Sequence, residues 1–244
     1  MTTAKKLLEF EGVGKSFGGL RAIDDVSFAV NENEIVGLIG PNGAGKTTLF
    51  AMASGFLKPT DGHIRFQGQR IDGFNPPRIC RAGLVRTFQI VKPFGDLTVI
   101  ENAMVGAFLH HPKPEAAREY AAEVLKRVGL GGREQQAAKT LTLSGRKRLE
   151  VAKALATTPK LLLLDEVMAG LNTVETSEMV ELIQNLRVSG VSILVIEHNM
   201  KAVMSLSDKI VVIQYGKKIA EGLPAEVAND PQVVSAYLGG EHVA

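Results

Sequence analysis

Short apolar runs recur along this chain of 244 residues, separated by stretches with helical periodicity. Residues 161–164 are all leucine, and residues 191–196 are apolar except for Ser192, which is typical of strands that are buried on both faces. Residues 115–128 instead repeat their apolar side chains three and four positions apart, as an amphipathic helix does. Strands that alternate with helices predict an α/β fold with a mostly parallel central sheet flanked by helices.

The first part of the chain is rich in strand patterns, and the middle part looks helical. Residues 7–10 and 26–30 alternate like half-exposed strands, residues 63–66 resemble an edge strand, and residues 34–39 form an apolar run. That run ends in a glycine-rich turn, after which residues 47–56 predict a helix. Farther on, residues 209–215 predict a strand that enters a hairpin at Gly216-Lys217.

The glycine-rich turn carries the strongest chemical signal. Residues 40–47 read GPNGAGKT, which matches the phosphate-binding pattern G-x-x-x-x-G-K-[ST] between a strand and a helix. Glycines allow backbone N–H groups to turn toward phosphates, Lys46 would reach the β- and γ-phosphates, and the Thr47 hydroxyl would bind Mg²⁺. We therefore expect a nucleotide site here.

Polar residues follow three of the predicted strands, where ligands bind in parallel sheets. Asp165 and Glu166 follow residues 161–164; Asp165 is placed to hold the hydration shell of Mg²⁺, and Glu166 to polarise the attacking water. His198 follows residues 191–196 and fits a γ-phosphate contact. Gln89 follows residues 83–88 and fits a water or Mg²⁺ contact.

A second anion-binding pattern raises a question about its ligand. Residues 139–155 open a predicted helix with hydroxyl and glycine residues, yet Arg146, Lys147 and Arg148 lie in its first turn. Each cation costs roughly 0.3–1 kcal/mol beside the positive end of a helix dipole unless an anion lies nearby. A solvated basic surface is the alternative explanation.

Composition narrows the class of protein. A net charge of +2 is too close to neutral to indicate non-specific nucleic-acid binding, so we expect no nucleic-acid partner. Cys80 is the single cysteine, which excludes an internal disulfide and favours a reducing compartment. No apolar run approaches the ~20 residues of a membrane span or the length of a signal peptide. We expect a cytoplasmic protein that is soluble or peripheral to a membrane.

Taken in order, these motifs resemble the ATP-binding subunits of ABC transporters over essentially the whole chain. GPNGAGKTT is similar to the Walker A loop, LLLLDE to the Walker B strand with its catalytic glutamate, and VRTFQ to the Q-loop. The resemblance implies that the D-loop is Ala169, Gly170, Leu171 and Asn172, that His198 is the switch histidine, and that Phe17 stacks on adenine. Core packing is the alternative for Phe17.

The resemblance also implies the roles of the site residues. The catalytic set is Glu166, His198, Gln89 and Lys46, and the metal ligands are Thr47, Gln89 and Asp165. The residues implied to bind ATP with Mg²⁺ are Phe17, Gly40, Pro41, Asn42, Gly43, Ala44, Gly45, Lys46, Thr47, Thr48, Gln89, Asp165 and His198.

In this family a signature segment, usually LSGGQ, completes the ATP site of the opposite subunit. The ungapped alignment sets Leu141, Thr142, Leu143, Ser144 and Gly145 against it. Alignment by letters would instead start at Leu143, but a helix that loses two residues turns its buried face by roughly 200°. We therefore prefer residues 141–145, in which Thr142 supplies the hydroxyl and the anion is the γ-phosphate held by a partner. Arg146 and Lys147 would add to its attraction.

The resemblance implies an architecture and partners. We expect one ABC-type P-loop domain over residues 1–244, with a catalytic core (1–88 and 159–244) that includes an antiparallel β portion, and a helical subdomain at about 89–158. A second ATPase subunit, identical or paralogous, two membrane permease subunits and, indirectly, a periplasmic substrate-binding protein would be its partners. The chain would lie at the cytoplasmic face of the inner membrane. Val167 departs from the proline common after the catalytic glutamate.

Further motifs, including LTVIEN, EHNM and AYLG, resemble the branched-chain amino-acid uptake group. The alternatives are urea uptake and lipopolysaccharide export. Outside transport, an ABC ATPase of DNA repair or translation and a nucleotide sensor without hydrolysis also remain open.

Overall fold

The computed structural model describes residues 5–88 and 93–238 of the chain. The strands within these residues are β1 (Lys6–Phe17), β2 (Leu20–Asn31), β3 (Ile35–Ile39), β4 (Asp61–Phe66), β5 (Gln69–Arg70), β6 (Leu84–Arg86), β7 (Leu161–Asp165), β8 (Ser192–Ile196), β9 (Lys209–Gln214) and β10 (Lys217–Gly222). The helices are α1 (Lys46–Ala53), α2 (Pro76–Ala82), α3 (Val99–Ala107), α4 (Pro114–Arg127), α5 (Leu143–Leu155), α6 (Thr173–Val188), α7 (Met200–Leu206), α8 (Pro224–Ala228) and α9 (Pro231–Leu238). A short 3₁₀ helix, Ala138–Thr140, precedes α5.

Two sheets form the framework. The larger has the order β10-β9-β3-β8-β7-β6, in which every pair is parallel except the β9–β10 hairpin. The smaller is antiparallel, with the order β2-β1-β4-β5. The predicted α/β class with an antiparallel β portion is confirmed. Strand β4 is not an edge strand as predicted, because the two-residue strand β5 pairs with it.

The two faces of strand β7 pack in two different hydrophobic cores. Leu162 and Leu164 pack in the cluster shared with helices α3 to α6, whereas Leu161 and Leu163 pack in the cluster shared with α1 and the antiparallel sheet. All four leucines are fully buried. A strand covered on both faces shows no apolar–polar alternation, which explains the continuous run in the sequence.

Local signals set several element boundaries. Asn172 caps α6 by accepting a hydrogen bond from the Glu175 backbone N–H at 3.0 Å. Gly129, with φ +75°, follows the end of α4 in the left-handed conformation that favours glycine. Helix α1 spans Lys46–Ala53, so it starts one residue earlier and ends three residues sooner than the predicted 47–56.

The described residues between β6 and β7 form helices and turns. Helices α3 and α4 pack on each other and on α5, and Thr98 and Ala137 form an isolated antiparallel bridge. Their buried face joins the same core as β7 and β8, so this helical part is seated on the sheet. Across residues 5–88 and 93–238, no helix combines the length and hydrophobicity needed to cross a membrane.

Candidate nucleotide-binding site

The phosphate loop joins the carboxyl end of β3 to the start of α1. The helix begins after Gly45, whose φ of +109° only glycine adopts readily and which has no side chain to cap the first turn. A Cβ at Gly45 would lie 2.4 Å from Ile23 Cδ1, so a side chain would also clash there. The open N–H groups of the first turn and the positive helix end suit an anion.

Lys46 lies beneath this loop and is 6% exposed. Its Nζ donates to the backbone oxygens of Gly40 at 2.6 Å and Pro41 at 3.0 Å, which folds the loop over the ammonium group. Burial lowers the pKa of Lys46, and the carboxylates of Glu166 and Asp165 oppose that effect. The loop therefore brings a partly desolvated cation and the two predicted acidic residues into one electrostatic environment.

Asp165 ends β7 and is paired with an arginine that the sequence motifs do not indicate. Arg86, at the end of β6, donates from its Nη2 to Asp165 Oδ2 at 2.7 Å, and both side chains are almost fully buried. The Thr87 hydroxyl accepts a hydrogen bond from the Asp165 backbone N–H at 3.2 Å. The parallel pairing of β6 with β7 places Arg86 opposite this strand end.

Glu166 and His198 meet at the ends of the neighbouring strands β7 and β8. His198 Nε2 lies 2.8 Å from Glu166 Oε1, the distance of a hydrogen bond that the imidazole donates. Glu166 has φ +51°, a left-handed conformation that costs a non-glycine residue about 1–3 kcal/mol. Its N–H donates to Ile196 O at 2.9 Å, which ties it to β8. The structure thus brings together the two side chains that the sequence predicted from separate strands.

The other predicted binding residues lie around the same loop or outside the described chain. Thr47 is exposed in the first turn of α1, and Thr48 is half-buried behind it. Phe17 ends β1 with 46% of its surface exposed, so it is not a core residue. Lys15 Nζ lies 5.2 Å from its ring centroid. Gln89 lies outside the described residues.

The segment 141–145 is the start of α5. Leu141 is buried, and Thr142 is the exposed N-cap whose hydroxyl accepts from the Gly145 N–H at 3.2 Å. Ser144 is 8% exposed within the first turn, so its hydroxyl is far less accessible than that of Thr142. Leu143 is 46% exposed beside Gly170 of the predicted D-loop, where an added Cβ would come within 3.0 Å of its Cδ2.

The basic cluster at the start of α5 points back into its own chain. Arg146 donates to the backbone oxygens of Leu141 and Lys139, both at 3.0 Å. Arg148 donates to Val128 O at 3.0 Å and pairs with Glu178. Lys147 is 4% exposed and donates to Glu166 O at 2.8 Å. For Lys147 the alternative of a solvated surface is therefore wrong, because its ammonium group is buried. That Arg146 and Lys147 add to the attraction for the γ-phosphate of a partner stays a prediction.

Glu197 is a second buried charge that the sequence motifs do not indicate. It follows β8 directly, is 3% exposed, and accepts the Met168 N–H at 2.7 Å just before the predicted D-loop. Burial raises its pKa to about 7, although the Met168 hydrogen bond and the Lys147 charge favour the ionised form. The burial of Lys147 could have been predicted from helical spacing, because Lys147 lies four positions before Val151 and therefore on the same buried face of α5.

The turn after Glu166 connects these groups to the D-loop. Ala169 N–H donates to Glu166 O at 3.2 Å, and Leu171 N–H donates to Met168 O at 3.1 Å. Val167 is 2% exposed and packs in the core shared with the helices. Ala169 and Gly170 are exposed, and Asn172 caps α6. The predicted D-loop is thus the surface segment between the end of β7 and the start of α6.

The donor set fits a nucleotide carrying a divalent cation. A glycine loop at a helix N-terminus and a buried ammonium are matched to phosphates, and an exposed aromatic ring is matched to a base. The Thr47 hydroxyl and the Asp165 carboxylate supply oxygen atoms, the ligands that Mg²⁺ prefers.

Comparisons with known proteins agree with this site. The family model for ABC transporters matches residues 23–169, and the model for branched-chain amino acid ATP-binding cassette transporters matches residues 217–243. The branched-chain amino acid transport ATP-binding protein LivG of Salmonella typhimurium is 44% identical, and BraF of Pseudomonas aeruginosa is 42% identical. Each alignment covers 97% of this chain and 99% of the relative.

A solved structure is also similar. The ATP-binding cassette MJ1267 of an ABC transporter, in its ADP conformation, superposes with a TM-score of 0.88 at 31% identity, covering 96% of this chain and 99% of that one. Fold and site define a P-loop nucleotide-binding protein. With the comparisons, the chain belongs to the ABC transporter family, in its group of branched-chain amino acid ATP-binding proteins.

Proposed function

We propose that this chain hydrolyses ATP to ADP and phosphate and that the reaction powers the uptake of branched-chain amino acids. The observation that carries the proposal is the hydrogen bond of 2.8 Å between His198 and Glu166, beside the glycine loop and the buried Lys46. This pair places a carboxylate and an imidazole at the strand ends, where the terminal phosphate of a bound nucleotide would lie.

In the proposed reaction the oxygen of a water forms a bond to the γ-phosphorus while the bond to the bridging oxygen of ADP breaks. Glu166 accepts the proton of the attacking water, and ADP leaves with the electron pair of the broken bond. His198 orients the Glu166 carboxylate and contacts the γ-phosphate. Lys46 and the N–H groups of the loop bind the β- and γ-phosphates. Gln89 is proposed to contact the water or the metal.

Thr47 and Asp165 would hold Mg²⁺, with Gln89 as the third proposed ligand. When bound, the ion neutralises charge on the β- and γ-phosphates. The guanidinium of Arg86, which pairs with Asp165 at 2.7 Å, keeps this carboxylate oriented toward the loop side of β7.

A second ATPase subunit, identical or paralogous, is proposed to complete each site. The exposed Thr142 hydroxyl at the start of α5 and the exposed Leu143 and Gly170 form a continuous surface that a second subunit would cover. ATP bound between two chains would close the dimer, and loss of the γ-phosphate would reopen it, because the contact that favours the closed state disappears.

Permease subunits are the proposed partners on another face. A groove lies between the end of β6 and helices α3 and α5, and exposed apolar side chains of Phe88 and Val105 line it. Exposed apolar side chains around a groove mark a protein contact. Binding there would hold this chain at the cytoplasmic face of the membrane, and a periplasmic substrate-binding protein would act through the permease.

The transported substrate is inferred from relatives alone. LivG and BraF are named for high-affinity branched-chain amino acid transport at 44% and 42% identity. The lipopolysaccharide export protein LptB of Haemophilus influenzae is more distant, at 36% identity over 96% of this chain. The model for the C-terminal part of branched-chain amino acid cassettes also matches, so amino acid uptake is the preferred function.

Replacing Glu166 with glutamine tests the proposal. Glu166→Gln keeps the hydrogen-bonding shape but removes the base, so phosphate release should fall about 10²–10⁴-fold. ATP binding should persist, and a dimer should accumulate with ATP and Mg²⁺ on a sizing column. Phosphate release is measured on the chain alone and with its co-purified membrane partners.

The matched control is Glu181→Gln, which removes an exposed carboxylate from α6. This variant should hydrolyse ATP at the parental rate. Absence of phosphate release by the parental chain in both preparations would refute the ATPase proposal. A Glu166→Gln chain that stays monomeric with ATP would refute the sandwich dimer.

A further inference from the structure

The buried Lys147 connects helix α5 to the end of strand β7. Lys147 lies one turn into α5, is 4% exposed, and its Nζ donates to the backbone oxygen of Glu166 at 2.8 Å. Helix α5 otherwise contributes to the core with apolar side chains such as Leu149 and Val151. A cation on the buried face of such a helix needs a specific reason.

The atom that Lys147 contacts belongs to a residue with an unfavourable backbone conformation. Glu166 has φ +51°, and a left-handed glutamate persists only where its surroundings hold it. Several contacts help to hold it: its N–H donates to Ile196 O at 2.9 Å, its carbonyl accepts from Lys147 Nζ as well as from the N–H of the following turn, and its carboxylate meets His198. Lys147 is the contact in this set that comes from the helical part of the chain.

The surroundings of Lys147 compensate for the burial of its charge. Desolvation lowers the pKa of Lys147, and the carboxylates of Glu197, Glu166 and Asp165 oppose it. Glu197 is itself buried and binds the Met168 N–H that leads into the D-loop. A buried cation without such carboxylates would be strongly destabilising. The acidic strand ends thus make this site suitable for an ammonium group.

We propose that Lys147 is a positioning residue for hydrolysis, which holds the backbone of Glu166 so that its carboxylate faces His198 and the phosphate loop. This inference deepens the proposed ATPase function and rests on it. Lys147 acts through the Glu166 carbonyl and not on the nucleotide.

The position of Lys147 on α5 gives the contact a second effect. The same helix begins with Thr142, the exposed hydroxyl proposed to contact the ATP of the partner subunit. A displacement of α5 from the sheet would therefore withdraw Lys147 from Glu166 and weaken the chain's own catalytic geometry. Each subunit would hydrolyse its ATP only when its signature helix is seated.

The experiment compares three variants in steady-state ATP hydrolysis by the full chain with its co-purified partners. Lys147→Met keeps the length of the side chain but removes the donor, and kcat should fall about tenfold or more because a small misplacement of a catalytic group is costly. The KM for ATP should stay within about threefold, since the phosphate loop is unchanged. Lys147→Arg, which restores a donor, should recover a large part of kcat.

Arg148→Met is the matched control. It removes a neighbouring cation of the same helix that also donates to a backbone carbonyl, that of Val128, but does not contact Glu166. Its kcat should stay within about threefold of the parental value. Thermal unfolding of each variant establishes that the chains are folded. If Lys147→Met does not fold, Lys147→Leu, which also lacks a donor but is smaller, takes its place in the same comparison.

The outcomes separate this inference from the proposed function. An active parental chain whose Lys147→Met form matches Arg148→Met in kcat would overturn the positioning role. A loss that appears in KM alone, or a failure of arginine to recover any activity, would also overturn it. A parental chain that releases no phosphate would overturn the ATPase function itself, and the inference would fall with it.

Discussion

Single residues at the ends of β7 and β8 carry most of the proposed chemistry. Asp165, Glu166 and His198 follow buried strands, and each is held by a named neighbour: Arg86, Lys147 and Glu166, respectively. Glu197 lies among them as a carboxyl group with a pKa of about 7. The charge state of this site is therefore sensitive to pH near neutrality.

Replacing Glu197 with glutamine should change how stability depends on pH. The pKa of Glu197 is raised from 4.5 to about 7 on folding, so the folded chain binds its proton more tightly than the unfolded chain does. Stability from this group is fully present below pH 4.5 and is lost as the pH rises toward 7, by on the order of 3 kcal/mol. Glu197→Gln lacks this loss but keeps an acceptor for Met168.

The measurement is urea unfolding of both chains between pH 5 and 8, without nucleotide. Lys147, Glu166 and His198 interact with Glu197 and are present in both proteins, so the difference between the two curves reports the charge of Glu197 together with its coupling to these neighbours. The parental chain should lose stability relative to Glu197→Gln as the pH rises. Parallel curves would show that Glu197 ionises in the folded chain as it does in water.

The sequence predicted the residues that have their own motif and missed those that depend on packing. Lys46, Asp165, Glu166 and His198 were predicted because a phosphate loop and strand-end polar residues have a recognisable order. No role was predicted for Glu197, and Lys147 was expected to add to the attraction for a partner's γ-phosphate, with a solvated surface as the alternative. Their burial depends on α5 packing against β7 and β8, which no local pattern specifies. Arg86 belongs to the quoted VRTFQ segment, but its pairing with Asp165 depends on the parallel pairing of β6 with β7, which the motif does not specify.

At the scale of elements, α5 begins with a side-chain cap and also carries Lys147, which contacts the site. The Thr142 hydroxyl accepts the Gly145 N–H at 3.2 Å, and the first turn contains no acidic residue. Arg146 instead donates to the carbonyl oxygens of Leu141 and Lys139, which stabilises the chain that enters the helix. The N-cap is therefore the main local interaction that stabilises the start of this helix.

Thr142→Val should destabilise the chain even without nucleotide. The substitution keeps the shape but removes the capping hydroxyl, and loss of an N-cap costs about 0.5–2 kcal/mol. Thr142→Ser keeps the hydroxyl and should stay within about 0.5 kcal/mol of the parental chain. Urea unfolding of the three proteins measures the difference. Equal stability of the valine and serine forms would contradict the capping role.

At the scale of the whole molecule, two surfaces are available to different partners. The start of α1 exposes polar groups at the nucleotide site, and the start of α5 and the predicted D-loop expose residues that are proposed to face a second subunit. The groove beside α3 exposes Phe88 and Val105. The helical part shares its core with β7 and β8 and carries residues of both surfaces, Thr142 on α5 and Val105 on α3. We propose that this arrangement transmits the state of the nucleotide to the permease.

Val105→Glu should separate ATP binding from assembly. Val105 is 48% exposed in α3, and a charge in an apolar contact is unfavourable, so co-purification with permease subunits should fall about tenfold or more. ATP binding by the chain alone should not change. Val188→Glu, at an exposed position at the end of α6, is the control and should assemble normally. Normal assembly of the Val105→Glu chain would exclude this groove as the permease contact.

The ion pair of Arg86 with Asp165 has a consequence for folding. The strand β7 consists of four leucines followed by Asp165, and its alternate leucines belong to different cores. If β7 slipped by one residue, each leucine would move to the opposite face of the sheet, but leucines would still fill both cores. Hydrophobic burial alone therefore discriminates weakly between the two registers. A slipped strand would leave the buried guanidinium and carboxylate apart, each without its counter-charge. Arg86 thereby favours the observed register of β7 before any nucleotide binds.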